Sequence, residues 1–529
     1  MNPTDDMIFE KVQILDTTLR DGEQTSGVSF TDNEKLSLAK ILLDEVKVDR
    51  LEIASARVSK GEKKAAQRII QWAKGSGKLD KIEILGFVDR HESVHWIHEV
   101  GGSVMNLLAK GSLKHLKGQL KKSPEEHIAE LIETIDYANS LGIKVNLYLE
   151  DWSNGMSQSK EYVFFLMDAL KQVNINRFML PDTLGILTPA NTYLFVKEMT
   201  TRYPALKFDF HAHNDYDLAV ANVLEGVKAG ADCIHVTVNG LGERAGNAIL
   251  SSTIAVLRDH LKVETNVVEN KIYRISKLVE TFSGLRIPAN KPLIGDNVFT
   301  QTCGVHADGD SKDNLYFNVL LPERFGRSRS YALGKTSGKA NVKKNLAELG
   351  IELDDISLKK VTERVIQLGD KKEQITLDDL PYIVADVLDL DEIQQSVKII
   401  NYNLTHAKGL RPVASVALLI EGKEYESSSS GDGQYDAFMN ALTKIYTNDL
   451  NKKLPLLLDY SVSIPPGGKS DALCETTITW QLHRDFKTRG VDTDQTFSAI
   501  KATEKMLNLI HHEDNTSPLT QLQTQRTLA

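Results

Sequence analysis

Two histidines separated by one alanine, His211 and His213, are the residues of this chain best suited to binding a metal ion. Residues two apart on a β-strand point to the same side, so both imidazoles could reach one cation. Together with a carboxylate and an amide oxygen, they would form a mixed site that suits Mg, Mn or Zn and leaves positions open for a chelating substrate. An H-x-H spacing on its own is as easily explained by chance as by a metal site. The hypothesis therefore needs an acidic residue at the end of another strand.

That acidic residue is Asp21, in LRDGEQ at residues 19–24, directly after the first predicted strand. A third polar segment, GLGERAGN at residues 240–247, follows the eighth predicted strand. Active residues of a (β/α)8 barrel gather at the carboxyl ends of its strands, so these three segments would meet in such a fold.

Eight short apolar runs alternate with helical patterns over about 270 residues, which is the rhythm of a (β/α)8 TIM barrel. The predicted strands are Val12–Leu15, Arg50–Ile53, Ile82–Phe87, Val104–Leu107, Val145–Leu149, Arg177–Leu180, Phe208–His211 and Ile234–Val238. Thr31 and Glu34 form a capping-box pattern where the first helix should begin. The competing architecture is a doubly wound open sheet, but its first strand usually leads into a glycine-rich turn, whereas residues 16–24 here read DTTLRDGEQ.

The rhythm changes after about residue 280, so we predict a barrel over residues 1–280 and a linker region with short helices over 281–390. An α+β module with its own core is expected over 391–515, and a polar tail over 516–529. The predicted strands of this module are Val397–Tyr402, Ala414–Ile420, Leu457–Ile464 and Glu475–Leu482, and its helices are Tyr435–Tyr446 and Thr496–Ile510.

The composition is that of a globular protein, since 41% of the 529 residues are hydrophobic and 26% are charged. A net charge of -9 argues against nucleic acid as a partner. The chain has no apolar run long enough for a membrane span and no apolar signal core at its N-terminus. The distant cysteines Cys233, Cys303 and Cys474 argue against a disulfide framework. We therefore expect a cytoplasmic protein.

Two short motifs point to other functions and are set aside. His91 and His95 with Glu92 match the H-E-x-x-H pattern of zinc proteases, but the stretch begins a predicted barrel helix, so we interpret it as a solvated helix face. Residues 468–470 (GKS) resemble part of a phosphate-binding loop, but Ser463 stands where that loop needs glycine. Nucleotide binding is therefore not predicted.

Three motifs resemble the signature of the 2-isopropylmalate, homocitrate and citramalate synthases, namely DTTLRDGEQ, HAHND at residues 211–215 and GLGERAGN. The resemblance covers essentially the whole chain. LYLEDWSNG (147–155), HNDYDL (213–218) and DGQYDA (432–437) are most similar to citramalate synthases. Isopropylmalate synthases usually carry a Leu-Gly pair where this chain has Tyr216 and Asp217. The resemblance implies a catalytic TIM barrel, linker subdomains that contribute to the active site, and a C-terminal amino-acid-binding regulatory domain.

The resemblance further implies a divalent metal ion, Mg, Mn or Zn, that holds a 2-oxo acid and polarises its carbonyl group. The implied ligands are Asp21, His211, His213 and Asn247. Arg20 would face the developing alkoxide, where a fixed cation stabilises most. Thr183 would bind the substrate carboxylate.

Acetyl-CoA is the implied cosubstrate, and a base must take a proton from its methyl group. The resemblance points to Glu150 together with His306, in TCGVHAD at residues 302–308, and to Tyr316 as an assisting residue. This pairing is chemically sensible because a carboxylate orients an imidazole and raises its basicity. The carbanion would attack the keto carbon, and water would then hydrolyse the thioester.

The size of the 2-oxo acid would be set by bulky apolar residues. Leu85, Leu108 and Tyr148 match positions that fill the pocket wall of citramalate synthases, where they would leave room for the methyl group of pyruvate. The alternative is that they are ordinary residues of the barrel core. A pocket gains only about 1–3 kcal/mol per methylene by better contact, so exclusion of larger acids is the stronger device.

The C-terminal module resembles the leucine- and isoleucine-sensing domain of these synthases in residues 431–438, 464–473 and 490–495. For a citramalate synthase the effector would be isoleucine, the end product of its pathway. The expected effector-binding residues are Tyr435, Asp436, Leu457, Tyr460, Ile464, Cys474 and Gln495. The alternative is a module that serves dimerisation alone, since homodimers are the commonest assembly, and a homodimer is expected either way.

The sequence thus predicts an acyltransferase, a citramalate synthase that condenses acetyl-CoA with pyruvate in isoleucine biosynthesis. The alternative is a 2-isopropylmalate synthase that uses 2-oxoisovalerate for leucine. A lyase or biotin-dependent carboxyltransferase of the same barrel type is more remote, since no biotin-carrier motif is present. A non-catalytic amino-acid-binding regulator would be expected to lack a metal ligand, yet all four positions are filled.

Overall fold

The computed structural model describes residues 11–302, 309, 318–349, 351–370, 375, 377–388, 397–463, 474–483 and 485–516. The chain divides into two compact units, the first formed by Met1–Thr300 and Phe317–Arg329 and the second by Gln301–Tyr316 and Ser330–Ala529. Within the described residues, no helix combines the length and the apolar character that crossing a membrane requires.

The first unit is built on a closed barrel of eight parallel strands, β1 to β8, that neighbour one another in chain order. The strands are Gln13–Asp16, Arg50–Ser55, Ile82–Phe87, Val104–Lys110, Lys144–Glu150, Arg177–Asp182, Phe208–Ala212 and Cys233–Val236. The barrel closes where β1 pairs with β8, with Leu15 opposite His235. The predicted TIM barrel is therefore confirmed, and the open sheet is excluded.

Helices surround the barrel and bury an apolar shell against the outer faces of its strands. They are α1 to α11, at Asp32–Ile41, Lys60–Gly75, Glu92–Val100, Leu113–His115, Pro124–Ser140, Trp152–Gln158, Lys160–Leu170, Pro189–Arg202, Ala219–Lys228, Leu250–Leu261 and Ile272–Ser283. The predicted capping box begins α1, since the Thr31 hydroxyl accepts from the Glu34 amide and the Glu34 carboxylate accepts from the Thr31 amide. Such a cap satisfies two backbone N–H groups that the helix itself leaves free.

The barrel interior contains several charged residues. Arg50 on β2 pairs with Asp209 on β7, and because these strands are not neighbours the contact crosses the interior. Arg50 also pairs with Glu83 at 2.8 Å, and Arg177 pairs with Asp209 at 2.6 Å. A small apolar cluster from five different strands lies in the same interior and consists of Leu15, Leu85, Tyr148, Met179 and Cys233. Charged residues persist there because each has a partner of opposite sign.

The second unit contains two short strands and three helices before its larger sheets. The strand β9 at Thr300–Gln301 spans the boundary between the units, and β10 lies at Ser330–Tyr331. The helices α12 to α14 span Lys339–Glu348, Asp355–Asp370 and Leu380–Val387. Their apolar faces form a separate core that includes Val342, Val361 and Val365.

The rest of the second unit is an α+β module made of two similar halves. The first half has β11 to β13, at Val397–Thr405, Val413–Ile420 and Lys423–Ser430, followed by α15 at Gln434–Lys444. The second half has β14 to β16, at Leu456–Ser463, Cys474–Gln481 and Asp485–Asp492, followed by α16 at Gln495–Thr516. Each sheet is antiparallel in chain order, and both halves contribute to one core. The predicted α+β module is confirmed.

A buried lysine supports the loop after β1, and its removal is the first test of this structure. Lys35 is almost fully buried and donates to the Leu19 carbonyl at 3.0 Å, while pairing with Glu23 and Glu62 at 2.6 and 2.7 Å. Lys35→Met should lower the free energy of unfolding of the barrel by about 3–5 kcal/mol because it leaves two partly buried carboxylates without a cation. Urea unfolding followed by circular dichroism measures the change.

Lys64→Met is the matched control. The Lys64 side chain is 68% exposed and pairs with Asp32 at 2.9 Å, so its loss should leave the urea midpoint within error. Equal effects of the two substitutions would contradict the supporting role of Lys35.

Candidate active site at the carboxyl end of the barrel

A cavity of about 330 Å³ opens where the barrel strands end. Nine of the residues predicted from the sequence line it: Arg20, Asp21, Leu85, Leu108, Tyr148, Glu150, Thr183, His211 and His213. They come from loops and strand ends that are far apart in the chain and are brought together by barrel closure. The cavity therefore has the position that active sites take in this fold.

Three of the four predicted metal ligands form a compact cluster in the cavity wall. Ligand atoms of Asp21, His211 and His213 all lie within 4.8 Å of one another, and all three residues are buried. The Nε2 atom of His211 lies 3.4 Å from Asp21 Oδ2 and 3.4 Å from His213 Nε2. Asn247 faces His213 in an isolated antiparallel bridge.

The free atoms of this cluster fit a divalent cation. Asp21 Oδ1 and Asn247 Oδ1 are among the buried side-chain oxygens that have no hydrogen-bond partner in the described part of the chain. Asn247 Nδ2 donates to the Leu241 carbonyl at 3.0 Å, so the amide is oriented with its oxygen free. Buried polar atoms are normally paired, and the binding of an ion is a common reason for an exception.

Electrostatics favour the protonation states that ligands need. Burial opposes ionisation of Asp21, but Arg20 and His211 outweigh it and hold the Asp21 pKa well below its usual value. Burial lowers the pKa of His211, and burial with the neighbouring His211 lowers that of His213 to about 4. At neutral pH the carboxylate is therefore charged and both imidazoles have lone pairs available.

Arg20 is held on all of its nitrogens, so it is no surface ion pair. Its Nε donates to Glu52 Oε2 at 2.6 Å, its Nη1 to Asp21 Oδ2 at 3.0 Å and its Nη2 to Tyr148 Oη at 3.4 Å. Glu52 also accepts from Thr17 at 2.7 Å and from Asn106 at 2.8 Å. Glu52 was missed from the sequence, although a carboxylate inside an apolar strand was a signal of a buried partner.

The other two polar residues of the wall also have partners that the sequence did not reveal. The Lys110 ammonium pairs with Glu150. Lys110 lies two residues after Leu108 on β4, so strand alternation could have placed both on one side. Thr183 Oγ1 accepts from the Asp151 amide at 2.8 Å, and Arg244 Nη2 donates to the Thr183 carbonyl at 2.7 Å. Both anchors hold Thr183 at the cavity.

Three of the predicted site residues fall in parts of the chain that the structure does not describe. His306, Tyr316 and Ile464 lie outside the described residues. The H-E-x-x-H stretch gathers no third ligand among the described residues, and the His91 ring stacks on Tyr137 with ring centroids 4.1 Å apart. A second group of possible ligands, Asp209, Cys233 and His235, is buried in the barrel, but the Asp209 carboxylate is already occupied by two arginines.

Of the predicted effector residues, the structure brings Tyr435 and Tyr460 together, with ring centroids 5.4 Å apart. Tyr435 Oη also lies 2.7 Å from Thr503 Oγ1. Cys474 is buried, whereas Leu457 is partly exposed on β14. Asp436 accepts from the Asp432 amide at 2.8 Å, and Gln495 begins α16.

Comparison with known proteins agrees with this architecture. The HMGL-like family model matches residues 11–279, the homocitrate synthase post-HMGL domain-like model matches residues 293–373, and the LeuA allosteric (dimerisation) domain model matches residues 374–511. A putative (R)-citramalate synthase of Methanopyrus kandleri is 35% identical over 82% of this chain and 84% of its own length.

Two enzymes of Methanocaldococcus jannaschii have the same identity to this chain as each other. Its (R)-citramalate synthase is 33% identical over 94% of this chain and 99% of its own length, and its 2-isopropylmalate synthase is 33% identical over 95% of each. The barrel, its carboxylate and imidazole cluster and the C-terminal module thus define an acyltransferase that converts the acyl group into an alkyl group on transfer. The chain belongs to the family of 2-isopropylmalate, homocitrate and citramalate synthases.

Removal of one imidazole tests the cation site without relying on turnover. His213→Ala should weaken Mn²⁺ binding by more than about tenfold and abolish CoA release, because the cluster loses a ligand. Titration calorimetry with Mn²⁺ measures the affinity. His98→Ala, on the exposed face of α3, is the control and should bind Mn²⁺ normally. Unchanged affinity in the His213 variant would refute the cluster as the cation site.

Proposed function

We propose that the protein is an (R)-citramalate synthase, which condenses acetyl-CoA with pyruvate and hydrolyses the thioester to give citramalate and CoA. The observation that carries the proposal is a bulky apolar wall directly beside the cation cluster. Leu108 pairs in register with Phe87 on one side and Tyr148 on the other, and all three line the cavity. Leu85 adds a fourth large side chain to the same wall.

The closeness of the wall to the cluster supports a small substrate side chain. The Tyr148 ring lies edge-on to His211 with ring centroids 6.1 Å apart, and its hydroxyl lies 3.4 Å from Arg20. A 2-oxo acid bound between these groups keeps its side chain against Tyr148 and Leu108. The methyl group of pyruvate fits such a space, whereas the isopropyl group of 2-oxoisovalerate needs room for two further carbons.

The polar wall supplies the groups that hold the 2-oxo acid. Asp21, His211, His213 and Asn247 would hold a divalent cation, which supplies Lewis-acid polarisation of the keto group when bound. Arg20 faces the oxygen that gains negative charge, and its three anchors keep it in place without reorganisation. Because Thr183 Oγ1 accepts from the Asp151 amide, its own proton is free to donate to a substrate carboxylate.

A base must take a proton from the acetyl methyl group before the new C–C bond forms. Glu150 lines the cavity and is assigned to this step together with His306, with Tyr316 assisting. The Lys110 ammonium pairs with the Glu150 carboxylate and holds it at the cavity, where the carboxylate can accept or direct a proton. The resulting carbanion attacks the keto carbon, and water then cleaves the thioester to release CoA.

The C-terminal module is proposed to bind isoleucine as a feedback inhibitor and to form a homodimer. The match to an allosteric and dimerisation domain supports both roles. The contact between the Tyr435 and Tyr460 rings supports an effector pocket there. In this proposal the apolar side would be formed by Leu457, Tyr460 and Ile464, and the polar end by Tyr435, Asp436 and Gln495, with Cys474 as a further pocket residue.

Turnover of two 2-oxo acids tests which of them is the substrate. Purified protein with Mg²⁺ or Mn²⁺ is given acetyl-CoA and either pyruvate or 2-oxoisovalerate, and CoA release is followed with a thiol reagent. We expect kcat/KM to be at least about 100-fold higher with pyruvate, because two extra methyl groups meet the wall. A higher kcat/KM with 2-oxoisovalerate would identify a 2-isopropylmalate synthase instead.

Enlarging the wall tests its role in the same assay. Leu108→Ala should raise the ratio of kcat/KM for 2-oxoisovalerate to that for pyruvate by roughly tenfold, because it opens space beside Tyr148. Leu194→Ala changes the same residue type on the exposed face of α8 and should leave the ratio unchanged.

A thermal shift assay tests which amino acid is the effector. Isoleucine at 100 times its Kd should stabilise the C-terminal module by about 2.7 kcal/mol, and leucine at the same concentration should stabilise it less. Tyr460→Ala should remove the shift, whereas Leu410→Ala, at an exposed position between β11 and β12, should retain it. A larger shift with leucine would overturn the isoleucine assignment.

A further inference from the structure

Three buried polar side chains form a chain of hydrogen bonds inside the barrel, directly below the cavity. His235 Nε2 on β8 lies 3.1 Å from Asp209 Oδ2 on β7, and His235 Nδ1 lies 3.0 Å from Tyr148 Oη on β5. Asp209 and His235 are almost completely inaccessible, and only Tyr148 reaches the cavity. Neither Asp209 nor His235 has a part in the chemistry described above.

The direction of these hydrogen bonds follows from counting donors. Asp209 Oδ1 accepts from Arg177 Nε at 2.6 Å, and Oδ2 accepts from Arg50, so the carboxylate acts as an acceptor at both oxygens. The imidazole nitrogen that faces it must therefore carry a hydrogen. On the other side of Tyr148, Arg20 Nη2 can only donate to the hydroxyl oxygen, so the tyrosine hydrogen is left for its second neighbour, His235 Nδ1. The Tyr148 hydroxyl consequently donates its proton to His235.

This direction decides what Tyr148 offers to the cavity. With its proton directed at His235, the hydroxyl oxygen can only accept from the other side, where Arg20 Nη2 lies 3.4 Å away. The guanidinium is then held at three corners, by Glu52, Asp21 and Tyr148. The same bond fixes the Tyr148 ring against Leu108 in the cavity wall.

We propose that His235 and Asp209 are positioning residues for the condensation: they orient the Tyr148 hydroxyl so that it holds Arg20, and they fix the ring that bounds the side chain of the 2-oxo acid. The inference rests on the proposed function, in which Arg20 and Tyr148 both contact that acid. His235 and Asp209 act through Tyr148, since neither lines the cavity.

A double-mutant cycle tests the inference, with kcat/KM measured for whichever of the two 2-oxo acids the wild-type enzyme uses faster. His235→Leu removes the acceptor and should lower kcat/KM for the 2-oxo acid by roughly tenfold to hundredfold, the size expected for a hydrogen bond to a charged group. Tyr148→Phe should cause a similar loss. In the Tyr148→Phe background, His235→Leu should change kcat/KM by less than about twofold, because the two changes remove one interaction.

Further measurements separate positioning from a general structural role. His235→Asn places an amide oxygen near the position of Nδ1 and should restore most of the lost activity. KM for acetyl-CoA and affinity for Mn²⁺ should stay within about twofold of wild type in every variant. Tyr203→Phe is the matched control, since its hydroxyl bonds Asp168 outside the barrel interior, at 3.1 Å, and its loss should leave kcat/KM unchanged.

The outcomes are distinct. Additive losses in the cycle, or a Tyr148→Phe enzyme with wild-type kcat/KM, would overturn the inference while leaving the proposed function intact. Tyr148→Phe keeps the ring volume, so this second result is available even if His235→Leu does not fold. A wild-type enzyme that turns over neither acid would overturn the proposed function and this inference together.

Discussion

The site depends on a balance of buried charge at and below the cavity floor. An isolated charge in a protein interior costs several kcal/mol, so each one requires a partner. Arg20 is matched by Asp21 and Glu52, while Arg50 and Asp209 neutralise each other deeper in the barrel. Because Arg20 uses one oxygen of Asp21, the other is left for a cation. The cluster of Asp21, His211 and His213 therefore lies at the cavity end of a network of buried charges that extends into the barrel.

Much of this arrangement could be predicted from the sequence, because its cause is local. Short apolar runs predict strands because the pattern depends only on residues close together in the chain. The H-x-H spacing predicts that both imidazoles point to the same side of a strand. The barrel then dictates that Asp21, His211 and His213 meet, since carboxyl ends of parallel strands share one rim. The family resemblance added the roles of Arg20 and Thr183, and the structure places both at the cavity.

What could not be predicted depends on contacts between distant segments. Nothing near Glu52 in the chain indicates that it bonds Arg20, because the partner is chosen by barrel register. The same holds for Lys35, a charged residue on an amphipathic helix that would ordinarily face solvent but is buried against two carboxylates. Lys110 beside Glu150 is a third case, since a pairing between β4 and β5 requires the alignment of those strands. Sequence periodicity predicts which face of a strand or helix a residue occupies. The alignment of distant segments in the fold determines which residue it contacts.

Closure of the barrel through β1 and β8 has a consequence for how the cavity is assembled during synthesis. The strands that seal the cylinder are separated by more than 200 residues, and the Val238 amide donates to the Thr18 hydroxyl across a gap of 220. Contacts of such long range form late, because closing the long loop between them loses chain entropy before the contacts stabilise the fold. The two halves of the C-terminal module, by contrast, are built from hairpins between adjacent strands. A nascent chain that has not yet released β8 from the ribosome therefore cannot close the cylinder, so the rim that carries Asp21, His211 and His213 is completed only after Val236 has emerged.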